Sequence, residues 1–543
     1  MAEKEFNLQD EPWIRVVKAD CTVREVSLRE ALLNAHTYSS LAGEMPTQDI
    51  AVLRTLLAVV HTIFSRMDEN GEKRAIQDAD DALDRWEALW NLGYFPEKPI
   101  QMYLEEWHER FYLFHPDKPF YQANEAADGT KFKAAKLNGA ISESGHKERL
   151  FSMRKGERKE RLTYAEAARW LINLNGFDDA AAKTKTGVGW LGKIGLIAAE
   201  GENLFETLML NFVMLNQNGE IWKTDKPIWE REKQRTGKTC EIPMPDNLAE
   251  LYTLQSRKLL LIRDGNNVTD YKVSAGEVFD ENNAFAEPMT MWKRVEGKGS
   301  QIPVCKPKTH DSTKQIWREF SAIVPEINEE SANGKHATRI SGIVKWQQRL
   351  RNEGILDKNG MARFAIASVE YGASNSSVAD VFSDSLSFHL DLLTDAGADW
   401  VEAVEAEIRL TDKVAAEILY LGMNIDKAAG GDGDALGKQL KEQFYDRIDV
   451  PFRRFLEAVE PQDDEEQMHE RLERWHEEEW HIAYGIAGEI VSQEDRTNFI
   501  IGKTIKEKQN GKEESNHYSV PKAYKQFKNQ INCLLKNEKG AAE

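Results

Sequence analysis

The first two-thirds of the chain mix short strand patterns with helical ones. Residues 13–17 alternate apolar and polar side chains, as a half-buried strand does. Ser27 precedes an apolar helical pattern with Glu30 at the capping-box position, so a helix is predicted to begin there. Further helices are predicted at 47–67, 78–92 and 163–174, and further strands at 111–114 and 258–263. Strands and helices do not alternate regularly, which favours an α+β fold over a doubly wound sheet.

The last third is predicted to be a helical bundle. Val401, Val404 and Ile408 begin an apolar stripe with steps of three and four residues, which predicts a long helix ending in the glycine-rich segment 430–437. A second helix should bend at Pro451, a third covers about 464–492, and a longer connection leads to a last helix behind Ser519. We therefore expect a large mixed α+β N-terminal domain, 1–380, followed by a C-terminal four-helix bundle, 381–543.

Charge is distributed unevenly along the chain. The 543 residues carry a formal net charge of −20, which argues against a uniformly basic nucleic-acid-binding surface. Residues 131–161 nevertheless hold ten Lys or Arg against four Glu, and residues 503–536 hold eight Lys against three Glu. Residues 457–480 are the opposite, with eleven acids and two arginines. A run of charge is usually a solvated face, so any contact with phosphate is expected to be local.

The cysteines and the apolar runs bear on compartment. Cys21, Cys240, Cys305 and Cys533 lie far apart with no CxxC pair, so free thiols in a reducing cytosol are expected and a structural zinc site is not. The first residues contain no apolar stretch of the signal-peptide kind. The apolar run 51–64 is shorter than the roughly 20 residues that cross a membrane. These patterns favour a soluble, cytoplasmic protein.

Two motifs raise alternative functions. Residues 187–192 match GxGxxG, but no strand precedes them, so a dinucleotide site is not expected. The surrounding segment 183–195, rich in Gly and Lys, either approaches a phosphate or groove wall or is a mobile linker. Residues 473–476 and 478–481 are both ExxH, the spacing of di-metal helical bundles. Both lie on one helix, about 140° apart, so a metal-dependent bundle enzyme remains the less favoured alternative.

Several segments together resemble one protein family. They occur in the order FNLQDEPWIRV at Phe6, SLREAL at Ser27, FYLFHPDKPFYQ at Phe111, AEAARWLINLNGFD at Ala165, NLFETLMLN at Asn203, DKPIWE at Asp225 and LYTLQSRKLLLI at Leu251. With the C-terminal bundle they resemble the CasA family, the large subunits of the type I-E CRISPR surveillance complex called Cascade. The resemblance covers most of the chain.

The resemblance implies a function in CRISPR antiviral defence without enzymatic activity, cofactor or metal. Members of this family recognise a protospacer-adjacent motif (PAM) in double-stranded DNA through the minor groove and help to open the duplex for the guide RNA. They then recruit a helicase-nuclease. The implied partners are the other Cascade subunits, the CRISPR RNA and target DNA, with no membrane. Base pairing then reads the sequence while protein reads only the short PAM.

The resemblance also implies the DNA-binding residues. A PAM wedge falls on Ser374, Asn375 and Ser376, where Asn375 stands in place of the family's glutamine. A lysine finger is placed at Lys272. A glycine loop is expected in 183–195, and the residues that carry it are Lys183, Lys185, Gly187 and Gly189.

A basic loop matches the family element that contacts the core of the complex and the DNA entry path. Phe151 is expected to pack against a partner or a nucleotide, and the cations expected to meet phosphates are Arg154, Lys155, Arg158 and Lys159. A purely structural scaffold subunit without DNA contact is a further alternative.

Overall fold

A computed structural model describes residues 4–142, 147–148, 154–180, 187–223, 226–232, 240–242, 245, 247–295, 304–324, 339–357, 359–493, 501–509 and 512–536. The chain forms two compact units. The first comprises Met1–Ile316, Ala322–Lys358 and Ala362–Leu386, and the second comprises Trp317–Ser321, Asn359–Met361 and Ser387–Glu543. The division at Leu386 lies a few residues beyond the predicted boundary of 380, which falls inside a strand.

The α-helices of the described residues are α1 Leu28–Leu33, α2 Pro46–Phe64, α3 Ala79–Leu92, α4 Glu97–Trp107, α5 Ala134–Leu137, α6 Glu157–Glu160, α7 Tyr164–Phe177, α8 Leu204–Leu210, α9 Leu248–Tyr252, α10 Phe320–Ile323, α11 Gly342–Asn352, α12 Ala398–Ala429, α13 Asp434–Glu457, α14 Glu465–Gln493 and α15 Val520–Lys536. The predicted helices correspond to α1, α2, α3, α7 and α12–α15. Local capping fixes several starts: Ser27 Oγ accepts a hydrogen bond from Glu30 N at 3.2 Å, and Asp78 Oδ1 accepts one from Asp81 N at 3.0 Å.

The strands are β1 Glu5–Asn7, β2 Ile14–Lys18, β3 Val23–Val26, β4 Tyr38–Leu41, β5 Tyr112–Phe114, β6 Thr130–Lys133, β7 Ile141–Ser142, β8 Lys147–Glu148, β9 Gly195–Ala199, β10 Cys240–Glu241, β11 Arg257–Asp264, β12 Asn267–Ala275, β13 Glu277–Val278, β14 Thr290–Val295, β15 Val304–Pro307, β16 Met361–Tyr371, β17 Val378–His389, β18 Lys503–Gln509 and β19 Lys512–Tyr518. Two sheets of the first unit matter here. One has the order β11-β12-β6, and the other has the order β15-β14-β9-β16-β17. The α+β prediction is confirmed.

Helix α2 forms the centre of the first unit. It is long and apolar enough to cross a membrane by length and composition, but almost all of it is buried inside the protein, as expected of a core helix. Arg54 on this helix is compensated by Glu287, with Nη1 and Nη2 donating to the two carboxylate oxygens at 2.7 and 2.9 Å. Burial lowers the pKa of His61 to about 3, so this ring is neutral in the core.

The second unit is the predicted helical bundle. Helix α12 contacts α13, α14 and α15. Gly422 and Gly437 allow α12 and α13 to approach closely, because a Cβ at Gly422 would lie 2.8 Å from the Gly437 Cα. The hairpin β18–β19 before the last helix was not predicted, since its strands KTIKEKQ and KEESNHY carry few apolar residues.

Candidate nucleic-acid interface

The carboxyl end of α7 positions the candidate interface in the first unit. A capping box starts the helix: Thr163 Oγ1 accepts from Glu166 N at 3.2 Å, and Glu166 Oε2 accepts from Thr163 N at 2.8 Å. Nearly every residue of α7 is buried, so the helix is fixed in the core. The chain leaves α7 at Asp178 and Asp179, and both aspartates are consequently held in the interior.

Arg257, the first residue of β11, is fully buried and binds this exit from α7. Its Nε donates to Asp178 Oδ2 at 2.6 Å, and its Nη1 donates to Ser256 O at 2.9 Å. Its Nη2 donates to Asp179 O at 2.9 Å and to Gly187 O at 2.6 Å. One guanidinium group therefore joins the end of α7 to the first described glycine of the segment 187–192.

A second cation completes this arrangement. Lys136 on α5 forms an ion pair with the Asp179 carboxylate, and both side chains are almost inaccessible to solvent. Lys136, Asp178, Asp179 and Arg257 are called the anchor cluster below. Its two cations match its two carboxylates, as burial of charge requires. Burial raises the pKa of Asp178, and the neighbouring Arg257 opposes that rise.

The glycines of 187–192, called the glycine turn below, serve close packing. Gly187 has φ +64°, which favours glycine. A Cβ at Gly189 would lie 2.3 Å from Gly176 O, and a Cβ at Gly192 would lie 2.0 Å from the Tyr371 hydroxyl. The Gly189 amide already donates to a main-chain carbonyl at the end of α7, at 2.9 Å. The expectation that this amide meets a phosphate is therefore corrected, since Gly189 is buried and its amide is bonded within the protein. Lys183 and Lys185 lie outside the described residues.

The predicted wedge residues lie on the turn 372–377 between β16 and β17, called the tip turn below. Gly372 N donates to Ser377 O at 2.9 Å and closes the turn. Ser374 and Asn375 have φ of 57° and 56°, the one adjacent pair of non-glycine residues in the left-handed region among the described residues. Such a conformation costs about 1 kcal/mol or more per residue, and it persists only where the surroundings hold it. Both side chains are exposed.

Two hydrogen bonds hold the tip turn and the end of β16 against the end of α7 and the residues that follow it. Ala180 N donates to Asn375 O at 2.8 Å, and the Tyr371 hydroxyl donates to Phe177 O at 2.8 Å. Burial raises the pKa of Tyr371, so its phenol stays protonated and can donate. The predicted wedge is thus tied to the residues that follow α7, and the Tyr371 hydroxyl before it lies close to Gly192 of the glycine turn.

Lys272 occupies a different setting from the one expected of a finger. It lies in β12, the central strand of its sheet, opposite Leu260 and Lys131. Its Nζ donates to Ala127 O. The neighbouring Tyr271 is buried on the other face of the sheet. Burial is the main cause that raises the pKa of its phenol, and the carboxylates of Asp178 and Asp179 raise it further. Lys272 is therefore a strand residue on the outer face of the sheet and not the end of a projecting loop.

The described part of the basic loop contains a cation that is bound to carboxylates and cations that are exposed to solvent. Arg154 is 13% exposed and bridges Glu44 and Glu166, with Nη2 to Oε distances of 2.6 and 3.0 Å. The structure therefore assigns Arg154 to carboxylates, and the expectation that it faces phosphates is corrected. Lys155 and Arg158 are exposed. Phe151 lies outside the described residues.

The basic stretch is physically continuous with the anchor cluster. Lys131 and Lys133 are exposed on β6, which leads directly into α5 and the buried Lys136. The two exposed lysines surround Asp270 with Nζ to Oδ1 distances of 3.4 and 3.0 Å. Asn138, at the end of α5, donates to the carbonyl of Lys159 in α6 at 3.0 Å. The exposed cations of β6 and α6 are therefore connected to the scaffold that holds the glycine turn.

The ExxH segments of the second unit do not converge. Glu473, Glu478 and His481 are exposed, whereas His476 is buried and its Nε2 lies 2.9 Å from Glu407 Oε2. No group of three or more His, Cys, Asp or Glu side chains with the geometry of a metal site occurs in the described part of the chain. The feature that raised the metal-enzyme alternative thus has three of its four side chains facing solvent.

A further acid lies beside His476. Glu479 is fully buried, and burial raises its pKa to about 8. Glu407 also raises this pKa, while Thr411 and His476 lower it. Glu407, His476 and Glu479 are called the bundle cluster below. It holds more acid than base, so Glu479 is protonated at neutral pH.

Sequence reasoning missed the residues that support the interface. Arg257, Asp178, Asp179 and Lys136 were not proposed, and neither was Tyr371. The available signal was a pair of aspartates directly after a buried helix and an arginine at the start of an apolar strand, both of which require buried partners. Nothing in the local patterns states which partners they take.

Known proteins resemble this chain over most of its length. The family described as CRISPR-associated protein Cse1 matches residues 7–486. CasA/Cse1 from Thermus thermophilus is 27% identical over 481 residues, which cover 84% of this chain and 88% of that protein.

Solved structures give the same relationship. The crystal structure of Thermobifida fusca Cse1 has a TM-score of 0.79 and 25% identity, covering 98% of both chains. A chain of a CRISPR RNA-guided surveillance complex has a TM-score of 0.67 and 16% identity, covering 97% of this chain and 100% of its own, a likeness of fold. The match to the family over most of its length means that this chain belongs to the Cse1 (CasA) family.

Proposed function

We propose that this chain is the PAM-recognising large subunit of a type I-E CRISPR surveillance complex and that the tip turn inspects the minor groove of double-stranded DNA. The observation that carries the proposal is the hydrogen bond from Ala180 N to Asn375 O, which fixes an exposed polar tip to the core of the first unit. The Asn375 side chain offers both a donor and an acceptor to base edges in the groove.

A fixed tip suits insertion between base pairs. Unstacking a base step costs a few kcal/mol. A turn that changed conformation on contact with the duplex would not provide this free energy. The anchor cluster resists such a change because Arg257 binds Asp179 O, next to the residue that bonds the tip, and also binds Gly187 O. Ser374 and Asn375 are already held in their left-handed conformation, so little conformational entropy remains to be lost on binding.

Local cations supply attraction for the duplex despite the acidic chain. The exposed residues that serve this role are Lys131, Lys133, Lys155 and Arg158. Each phosphate that they neutralise releases counterions, so binding should weaken steeply with salt. The guide RNA and most of the DNA are then held by other subunits. The proposal includes a non-enzymatic role and recruitment of a helicase-nuclease after the duplex opens.

The tip turn is tested by Ser374→Ala combined with Asn375→Ala in the assembled complex. We expect affinity for a PAM-containing duplex to fall about tenfold, with loss of discrimination against a duplex lacking the PAM. Gel-shift titration measures both, and size-exclusion chromatography checks assembly. The matched control is Ser383→Ala with Ser385→Ala on β17, which leaves the tip unchanged. Equal affinity and discrimination in the tip variant would refute the assignment and favour a scaffold subunit.

The electrostatic part is tested separately by Lys155→Glu combined with Arg158→Glu. We expect a shallower slope of log affinity against log salt, by about one to two units, because up to two phosphate contacts are removed. Glu157→Gln, between the two positions, is the control for local structure. An unchanged salt slope would remove Lys155 and Arg158 from the DNA path and leave the tip turn assignment standing.

A further inference from the structure

A cavity of about 290 Å³ lies in the first unit, between the turn 215–221 and helix α11. The turn is well ordered: Asn216 Oδ1 accepts from Asn218 N at 2.8 Å and from Glu220 N at 3.1 Å. Opposite it, the start of α11 is fixed because Ser341 Oγ donates to Pro288 O at 2.8 Å. Both walls are therefore formed before any ligand arrives.

Several buried donors in the walls of this cavity have no acceptor. They are the side-chain nitrogens Gln217 Nε2, Trp346 Nε1 and Arg349 Nε, each without a hydrogen-bond partner among the described residues. All three residues line the cavity. The unpaired buried polar atoms of these lining residues are thus all donors, which favours a ligand rich in acceptors.

Charge at the cavity points to an anion. Lys345 is exposed on α11 one turn before Arg349, and both line the cavity. The Arg349 side chain is 36% exposed, and its ion pair with Glu353 is long, with Nη2 3.8 Å from Oε1. An exposed pair of that length contributes little, so the guanidinium is available for a stronger, bidentate partner such as a phosphate.

Aromatic side chains define the remainder of the cavity. Trp222 is half-buried and held by its Nε1, which donates to Val213 O at 3.1 Å, and Phe285 is 40% exposed at the rim. Aromatic faces of this kind stack on nucleobases of any type. The volume lies at the lower end for ligand sites, which suits one nucleotide and not a dinucleotide cofactor.

We propose that this cavity binds one nucleoside monophosphate unit, with the phosphate at Lys345 and Arg349 and the base against Trp222 and Phe285. The unit is either a free nucleotide or an unpaired nucleotide of a single strand. This inference is independent of the tip turn and of PAM recognition, because it uses none of the same residues.

The primary test is isothermal titration of the full chain with AMP, GMP, CMP and UMP. We expect saturable binding of at least one at a single site. Arg349→Gln should weaken it tenfold or more, since hydrogen bonds to a charged group are lost. Trp222→Leu should weaken it about fivefold or more through lost stacking. Arg351→Gln on the same helix, whose side chain does not line the cavity, should change affinity less than twofold.

Crosslinking locates the site. UV crosslinking of 4-thiouridine monophosphate followed by peptide mapping should label peptides containing Trp222 or Trp346. Arg349→Gln removes a partly exposed side chain, so its melting temperature should match the wild type and its loss of binding cannot be attributed to unfolding. Binding that survives both Arg349→Gln and Trp222→Leu, labelling elsewhere, or no saturable binding would overturn the proposal.

A single-stranded octanucleotide, of deoxythymidine or of uridine, distinguishes the two sources. Affinity at least tenfold above that of the mononucleotide, with loss in Arg349→Gln and competition by the mononucleotide, would assign the site to a strand. Equal or weaker affinity would assign it to a free nucleotide. Ser374→Ala with Asn375→Ala should leave both titrations unchanged.

Discussion

The anchor cluster of the first unit and the bundle cluster of the second both bury ionisable side chains. Only in the anchor cluster does the number of cations equal the number of carboxylates. The anchor cluster sets two cations against two carboxylates and uses the guanidinium of Arg257 to bind main-chain carbonyls as well. The bundle cluster places Glu479 beside Glu407 with one histidine between two acids. Balanced charge fixes a conformation over a wide pH range, whereas the unbalanced cluster makes its surroundings sensitive to pH.

Removing the central cation should have the largest effect. Arg257→Met leaves Asp178 buried without its partner, so we expect the first unit to lose about 4 kcal/mol of stability. Urea unfolding measures this loss. The matched control is Arg363→Met, whose ion pair with Glu202 has an Nη1 to Oε1 distance of 2.7 Å but is exposed, and which should cost less than about 1 kcal/mol. Equal losses in the two variants would contradict a special role for the anchor cluster.

Neutralising Glu479 should sharpen the contrast in pH dependence. Its folded pKa of about 8 lies above its ordinary value, so the folded state binds this proton more tightly. The resulting stability is complete below about pH 4.5 and is lost as pH rises through 8, with on the order of 3 kcal/mol of it lost between pH 6 and pH 8.5. Glu479→Gln should remove that slope and stabilise the second unit at pH 8.5.

Amide hydrogen exchange in α14 between pH 6 and pH 8.5, corrected for the intrinsic rate, measures this effect. Glu477→Gln, an exposed change on the same helix, should keep the wild-type slope. If Glu479→Gln destabilises the bundle at pH 8.5, the surroundings favour the carboxylate, its pKa is not raised, and the interpretation of the bundle cluster is wrong.

A smaller effect should follow from filling the space at Gly192. Gly192→Ala places a Cβ against the Tyr371 hydroxyl, so that side chain must move and its bond to Phe177 O is lost. We expect a cost of about 2 kcal/mol in thermal unfolding. Gly485→Ala, in a helix with open space around the glycine, should be neutral or stabilising. A neutral Gly192→Ala would show that the tip turn tolerates displacement of Tyr371.

The smallest effect is expected for Tyr371→Phe. This change removes one neutral hydrogen bond while keeping the ring, so about 1 kcal/mol should be lost. Faster hydrogen exchange at the Ala180 amide would report looser support of the tip turn. Unchanged exchange at that amide would mean that the bond to Asn375 O holds the turn without help from the tyrosine.

The sequence predicted the elements whose signals are local. Apolar stripes at helical spacing identified α2, α7 and the bundle helices, and capping residues such as Ser27 and Thr163 marked their starts. The hairpin β18–β19 escaped because charged strands lack the alternation that marks a buried face. Pro451, where the sequence predicts a bend, lies inside α13.

The candidate site was predictable in part. The position of the tip turn was predicted through the family resemblance, but its support was not, because Arg257 meets Asp178 across 79 residues of sequence. Such pairings depend on the tertiary fold. The sequence also did not reveal which cations are exposed. Arg154 and Lys155 are adjacent, yet Arg154 is bound to carboxylates and Lys155 is exposed to solvent.

The bond that joins Ala180 to Asn375 uses only main-chain atoms. Replacing either side chain leaves the bond intact, except for proline at 180, which has no N–H to donate. Among the amino acids that accept the left-handed backbone of the tip, the displayed residue can therefore diverge between relatives while this bond to the core stays the same. A lineage could retune which base edges it recognises by single substitutions, without rebuilding the fold beneath them.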